Sequence, residues 1–526
     1  MEQLTLLLDG FADAITPMNL LWVFIGALLG TAVGVLPGMG SAMAVALLLP
    51  ITFTLEPTAA FIMFAGVYFG GLFGDSTMAI LVNTPGGSTA IATSFEGHKM
   101  ALVGRAPQAL ATSAIGAFTG GLIATTLVVF FAPKLAEFAI LFGPAEYFAL
   151  AVFAFLACSA VVSDSLIKGL VSLIFGLLVA TVGIDGISGT QRFTGGVPEL
   201  FDGISIIVVT VGILALGEVF YKIYEHKRPK PTQKSKLTGS AFLSFKDFRE
   251  ALPAWLRGTG FGVPFGVIPV GGAEVPTFMA YATERNLDAR RKDPKFGTGA
   301  IRGVAAPEAA GNATAGTAMG ALLAMGLPTS ATAAIMLAAF QQYGIQPGPL
   351  LFERNADLVW PLLASLFIGL FVLLILNLPL APMWAKLLLI PRHYLYAGIA
   401  LFCALGVYAT SAAMTDLLLV LLIGFIGFLF RRYDFPLAPV MIGVILGPLA
   451  ETSFRNALLS SGGEYSTFIA SPITWVLYGL MAIVLAAAGY KHYSNRRANR
   501  ATEERSRQTE LADNQEEPVG EPETTR

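Results

Sequence analysis

Four stretches set Gly, Pro, Ser and Thr into otherwise apolar sequence: LPGMGSA at 36–42, NTPGGSTA at 83–90, IPVGGAE at 268–274 and GLPTSATA at 326–333. Backbone N–H and C=O groups left unpaired in hydrocarbon are costly, so such breaks survive only where protein or a wet cavity covers them. The chemistry on offer is ion recognition without a fixed charge. Helix N-termini beside a break aim N–H groups at an anion, while freed carbonyls, hydroxyls and amides coordinate a cation. Anion contacts are assigned to Gly38, Gly40, Ser41, Gly86, Gly87, Ser88, Gly271, Gly272, Thr329 and Ser330. Cation contacts are assigned to Asn83, Thr84, Asn312, Thr314 and Glu274.

Each assignment has a plainer rival. A break can be a proline kink or an external loop between two ordinary spans, and Ser, Thr and Gly also permit close helix packing in membranes. What separates the readings is recurrence, because four breaks fall in two matched pairs. Acids are more informative, since a charge in the bilayer is expensive. Asp75, Glu274 and Glu308 lie in or beside break-bearing segments and suit cation or proton coupling; alternatively Glu308, close behind Arg302, is an interfacial acid at a loop end. Few basic residues lie deep in the apolar runs, so an anion would rely on backbone dipoles, hydroxyls and co-bound cations.

Enzyme signatures are absent. His98, His226, His393 and His492 fall at loops or span ends and form no HExxH or zinc pattern. GGSTA at 86–90 lacks the last Gly of GxSxG, and there is no Walker motif. Cys158 and Cys403 sit in apolar segments and read as small core residues. No cofactor beyond a coupling Na+ or H+ is expected, and no nucleic-acid partner.

The elements that position these breaks follow from composition. Of 526 residues, 55% are hydrophobic and 13% charged, with mean hydropathy +0.69. Soluble domains carry about 25% charged residues. No charge occurs anywhere from Ala14 to Leu55, and uncharged runs recur at Pro57–Gly74, Ala106–Pro133, Ala309–Phe352 and Leu358–Ala385. The class is an all-α polytopic membrane protein with roughly 11 to 14 crossing segments, some of them turning back. Leu4, Leu7, Leu8, Phe11 and Ile15 recur at helical spacing, which predicts a short interfacial helix over residues 1–18.

Charge orients the chain. Residues 221–257 hold nine Lys/Arg against three acids, and residues 284–302 hold six against three. With KHYSNRRANR after the last apolar run, these segments face the cytoplasm. The acidic, unpatterned tail reads as disordered.

One constant shift along the sequence lays Gly30, Gly34, Val35, Pro37 and Gly40 on Gly262, Gly266, Val267, Pro269 and Gly272. Pro85 and Pro328 anchor a second pair in the same order at a similar shift. The loop between motifs lacks basic residues in the first half and is rich in them in the second, and the loops after the second motifs reverse this. Equivalent loops thus face opposite sides, as in inverted-topology repeats. The division is 1–18 interfacial helix, 19–226 repeat 1, 227–257 basic linker, 258–490 repeat 2 and 491–526 cytoplasmic tail.

Longer blocks carry a resemblance across residues 1–490. They include TPMNLLWVFIGALLGTAVGVLPGMG, ILVNTPGGSTAIATSFEGHKMALVGRA, GAIRGVAAPEAAGNATAGTAMGALLAMGLPTSATAAIML and FPLAPVMIGVILGPLAETSFRNALLSSGG. The sequence resembles the large membrane subunit of the bacterial tripartite tricarboxylate transporters. The resemblance implies a secondary carboxylate importer of the inner membrane, working with a small membrane subunit and a periplasmic solute-binding protein. It implies citrate or another carboxylate as substrate, Na+ coupling and an elevator-like movement. Ser41-Ala42 follow the first turn where the resemblance leads one to expect Pro or Ala. A stand-alone cation/carboxylate symporter is the alternative; an intramembrane enzyme lacks its constellation, and a passive channel would not accumulate substrate.

Overall fold

The computed structural model describes residues 2–36, 40–52, 55–83, 85, 87–162, 165–225, 243–268, 272–387, 390–486 and 489. Gly38, Thr84, Gly86, Gly271, the linker to residue 242 and the tail from 490 lie outside the described residues. The first half comprises α1 (Glu2–Ala14), α2 (Pro17–Gly34), α3 (Ser41–Thr52), α4 (Pro57–Val82), α5 (Ile91–Leu102), α6 (Ala106–Ala139), α7 (Pro144–Val162) and α8 (Leu166–Ala180). Next come strands β1 (Gly183–Ile184) and β2 (Gln191–Arg192), then α9 (Ile206–Thr210) and α10 (Gly217–Glu225) joined by a π-helical turn. The second half holds α11 (Phe245–Val267), α12 (Glu274–Asp288), α13 (Arg302–Met325), α14 (Ala331–Gln342), α15 (Leu351–Arg354) and α16 (Ala356–Asn377). It closes with α17 (Ala381–Leu387), α18 (Arg392–Ser411), α19 (Met414–Arg432), α20 (Leu437–Ser460) and the apolar helix α21 (Pro472–Ala486).

Among the described residues seven helices, counting Ile206–Glu225 as one, are long and apolar enough to cross a membrane. Five further apolar helices, α3, α7, α8, α18 and α21 among the described residues, have apolar stretches of 10 to 17 residues. At 1.5 Å per residue these stretches reach only about 15–25 Å of a hydrocarbon layer some 30 Å thick. The larger number of spans expected from apolar runs therefore divides into full-length and short helices.

Glycines set the packing. On α2, a Cβ at Gly26, Gly30 or Gly34 would overlap the backbone of Met63, Val67 or Gly71 on α4. On α11, Gly258, Gly262 and Gly266 press in the same way on Ala306, Ala310 and Thr314 of α13. The spacing of four is the same on both sides, and the shift that matches the breaks also carries one triplet onto the other. The repeat legible in the sequence is thus a repeat of helix contacts. In each pair residue numbers rise together, so the two helices run parallel. Close backbone approach through small residues is how membrane helices associate where no hydrophobic force acts between them.

The helices that follow α2 and α11 turn back. Ser41 of α3 lies against Gly71, and Tyr343 Oη donates to Thr52 O at the helix's far end at 2.6 Å. Thr277 of α12 lies against Gly311, and Glu284 near its far end pairs with Arg257 and Arg302. Each hairpin thus returns to the level where its long partner helix begins.

The long helices α4 and α13 form the centre. Of the best 18-residue window of α4, 89% is buried, against 22% for α19, whose Leu418, Leu421, Leu422 and Phe425 face outward. Such outward leucines suit lipid. Around α13 pack α6, through Gly120 on the Ala309 backbone, and Trp255 of α11, whose Nε1 donates to Thr112 O at 3.2 Å.

The loop before α13 is tied by buried carboxylates. Glu96 of α5 accepts the N–H groups of Gly297, Gly299 and Ala300 at 2.8–2.9 Å, and Asp288 accepts those of Lys295 and Phe296. Elsewhere β1 and β2 pair antiparallel, Gly183 opposite Arg192, and Arg455 of α20 donates to Asp185 at 2.8 Å. Cys158 and Cys403 are free and buried.

Candidate functional site

Both long helices end in a left-handed residue at corresponding places. Asn83 caps α4 at φ 54° and Gly326 caps α13 at φ 67°, each two residues before a proline. Gly and Asn are the residues that tolerate this conformation. After Asn83 the chain runs back along α4 before the next short helix begins. Thr89 Oγ1 reaches Asp75 Oδ2 at 3.5 Å, a Cβ on Gly87 would sit 2.9 Å from the same oxygen, and His98 Nδ1 lies 3.0 Å from Ile80 O. The inner end of this break is therefore Gly87–Thr89, level with Asp75. Asn83 is exposed, eight residues and about 12 Å further along the axis.

The breaks converge on one stripe of α4. Ser330 hydrogen-bonds Tyr68, Ser41 stands against Gly71, and Gly87 stands against Asp75. Positions 68, 71 and 75 share a helix face by their spacing of three and four. Ser41 Oγ and Thr332 Oγ1 are 3.2 Å apart, and a Cβ on Gly272 would lie 3.5 Å from Ser330 Cβ. Four breaks from distant sequence thus meet along about 10 Å of one helix.

At this stripe several short helices begin. Ser41 opens α3; Ser330 caps α14 by accepting the Ala333 N–H at 3.2 Å; Glu274 opens α12 two residues after Gly272; and Thr89 lies in the single 3-10 turn that leads into α5. First-turn N–H groups lack partners within their own helix and carry the positive end of its dipole. The starts of these helices thus gather beside the Asp75 carboxylate. Thr329 is 1% exposed and its Oγ1 has no hydrogen-bond partner.

The cation assignments separate in space. Asn312 lies one turn beyond Glu308 and donates Nδ2 to its carbonyl at 3.1 Å. Thr314, two residues on, faces another side: its hydroxyl donates to Gly262 O at 3.0 Å and Ala310 O at 2.9 Å, inside the α11–α13 contact. Two residues on a helix are about 200° apart, which is why the pair diverges. Glu274 lies at the start of α12 within electrostatic reach of Cys158.

Glu308 is 4% exposed, not at an interface. Its Oε1 accepts Ser76 Oγ at 2.7 Å and Thr93 Oγ1 at 2.6 Å. Tyr68, Ser76 and Thr93 were not among the sequence assignments. Their hydroxyls lie outside the Pro/Gly breaks, and only the pairing of helices brings them in, whereas Thr332 stands inside the last break without having been assigned. A cavity of about 750 Å³ opens beside Gly326, between Tyr147, Gln341, Arg354, Asn355 and Asn456.

Among the described residues no group of three His, Cys, Asp or Glu side chains could hold a metal ion. The family model described as "Tripartite tricarboxylate transporter TctA family" matches residues 20–442. An Agrobacterium vitis protein, "Uncharacterized 52.8 kDa protein in TAR-I ttuC' 3'region", is 41% identical over 479 residues, covering 91% of this chain and 95% of the relative. A second from the same organism, "Uncharacterized protein in TAR-II ttuC' 3'region", is 38% identical over 228 residues, covering 43% of this chain and 93% of its own length. No solved structure matches the chain.

Proposed function

Because the chain belongs to the tripartite tricarboxylate transporter TctA family, we propose that it is the large membrane subunit of a secondary transporter importing a carboxylate on a cation gradient. The observation that carries this reading is the meeting of four breaks and their helix N-termini along Tyr68, Gly71 and Asp75. A carboxylate seated there would accept N–H groups from the starts of α3 and α14, with Ser41, Thr329, Ser330 and Thr332 as hydroxyl partners. Glycine at 38, 40, 86, 87, 271 and 272 would let backbone approach the anion closely, and Ser88 would add a hydroxyl. Asn83, Thr84, Asn312, Thr314 and Glu274 were the sequence's cation ligands; of these, Asn312 has the most suitable surroundings.

The partners are a small membrane subunit and a periplasmic binding protein that delivers substrate, with Na+ or H+ as coupling ion. The chain spans the bacterial inner membrane many times. Its basic segments, 227–257 and 285–302, and its C-terminus lie in the cytoplasm, as the positive-inside rule directs. Inverted topology is supported by the hairpins: α3 ends beside Tyr343, whereas α12 ends in the basic cluster around Arg257 and Arg302. An elevator-like shift of the break-bearing helices would expose the site to each side in turn.

The test is uptake of labelled citrate by proteoliposomes holding this chain and its small membrane partner. An inward Na+ gradient is applied with and without the soluble binding protein. Uptake that requires both is the expected result. Uptake without the soluble protein would replace the tripartite reading with a stand-alone symporter. No accumulation of citrate, dicarboxylates or aromatic acids under any gradient would overturn transport itself.

A further inference from the structure

Beside the proposed anion site lies a buried carboxylate that no basic residue among the described residues balances. Glu308 of α13 receives hydroxyls from three other helices: Ser76 of α4, Thr93 of α5 and Ser113 of α6. Asn312, 3% exposed, folds over the Glu308 turn through its Nδ2, and its Oδ1 is buried without a partner. Among the described residues no Lys, Arg or His pairs with Glu308. Arg302, nearly two turns earlier, is held by Glu284 at 3.4 Å.

Three hydroxyl contacts favour the ionised carboxylate, and an ionised carboxylate buried without compensation is strongly disfavoured. Neutrality at this site is reached either by a proton on the carboxylate or by a bound cation. Each hydroxyl that donates to Glu308 keeps lone pairs for a cation, and the Asn312 oxygen is an acceptor waiting for one. Oxygen donors alone select a hard ion. One carboxylate balances one unit of charge, so a monovalent ion leaves the site neutral where a divalent one would not.

We propose that Glu308, Ser76, Thr93, Ser113 and Asn312 bind one monovalent cation, with Na+ as its occupant, and that this is the coupling ion. The coupling role rests on the transport reading above; the binding does not. Ser76 lies five residues, about 7.5 Å, along α4 from Gly71. Thr93 belongs to α5, whose leading turn carries Thr89 against Asp75. Filling the site clamps α4, α5, α6 and α13 together and so fixes the Gly87 break beside the anion site. By linkage, a bound carboxylate must then tighten Na+ binding by the same factor.

The probe is Na+ itself, followed by thermal unfolding of the purified full-length chain in a NaCl series balanced with choline chloride. Wild type gains a saturable, Na+-specific rise in Tm. Glu308→Gln abolishes it, while Thr93→Val and Asn312→Ala each raise the half-saturating Na+ concentration by about tenfold. No Na+-specific rise in wild type overturns the proposal, as does an equal rise in Glu308→Gln. Should that variant fail to fold, unchanged half-saturation in both Thr93→Val and Asn312→Ala overturns it equally. The two readings fail separately. A Na+ response lost in Glu308→Gln without carboxylate uptake by wild type keeps the site and removes the carrier. Na+-driven uptake intact in Glu308→Gln keeps the carrier and removes the site.

Discussion

Two glycines on α11 offer a controlled measurement of what the repeated helix contact is worth. Gly260 has nothing within 4 Å of where a Cβ would stand. Gly262, about 200° around the same helix, would place its Cβ on Ala310 O and 2.9 Å from Ala313 Cβ. Replacing either by Ala adds one methyl and the same gain in helix propensity, about 0.5–1 kcal/mol. The propensity term therefore cancels between the two variants, leaving packing. The obstructing atoms at Gly262 are backbone and a Cβ, so no rotamer change relieves them. To bring the Cβ to an ordinary contact of 3.4 Å from Ala310 O, α11 must retreat by about an ångström. A gap of that size forfeits about half of each dispersion contact along the seam, and it stretches the Thr314 bond to Gly262 O. Overpacking of this kind costs about 1–3 kcal/mol, so Gly262→Ala should lie about 5- to 150-fold below Gly260→Ala in folded-to-unfolded ratio. Thermal unfolding of the two purified variants, with uptake measured alongside, is the assay. Gly260→Ala should melt at or above wild type, and Gly262→Ala below it with impaired uptake. Gly30→Ala, against the Val67 backbone, should behave like Gly262→Ala. Equal melting of the two α11 variants would refute the argument that these glycines set the helix separation.

Asn83→Gly should leave stability and Na+ dependence unchanged, whereas Asn83→Val, forced to φ 54°, should lose about 1–2 kcal/mol in thermal unfolding; altered Na+ dependence in the Gly variant would restore Asn83 as a cation ligand. On the reading that the 750 Å³ cavity lined by Arg354 admits the substrate, Arg354→Gln should raise the KM for carboxylate uptake about tenfold with kcat little changed and flatten the rise of KM with added salt; an unchanged KM shows that the substrate does not pass this cavity. Asp185 is held well below the usual carboxylate range by the Ser188 hydroxyl, Arg455 and the Ile187 N–H. A depressed folded value means its stabilisation is present above the unfolded value near 3.9 and is lost only as pH falls through the folded one. Limited proteolysis of the β1–β2 hairpin should thus be flat from about pH 5 to 8 in wild type and faster throughout in Asp185→Asn; a wild-type hairpin that opens across that range contradicts the sign.

The amino-acid sequence alone determined class and the location of the breaks. Long uncharged runs can satisfy their backbone only as buried or lipid-facing helix, and Pro-Gly pairs interrupt helices wherever they stand. The match of Gly30 and Gly34 to Gly262 and Gly266 marked a repeat in the sequence, and the structure made it a pair of helix seams. Only the tertiary structure decided which faces meet. It carried Asn83 away from the site while bringing Gly87 back to Asp75, and it turned Thr314 into α11 while Asn312 stayed with Glu308. It also made Glu308 a buried centre rather than a loop-end acid, by presenting hydroxyls from α4, α5 and α6. Local propensity can place a residue on a helix, but a helix surface turns about 100° with each residue. Which neighbour a side chain meets therefore depends on contacts with distant parts of the chain, and a single sequence read along its length does not contain them.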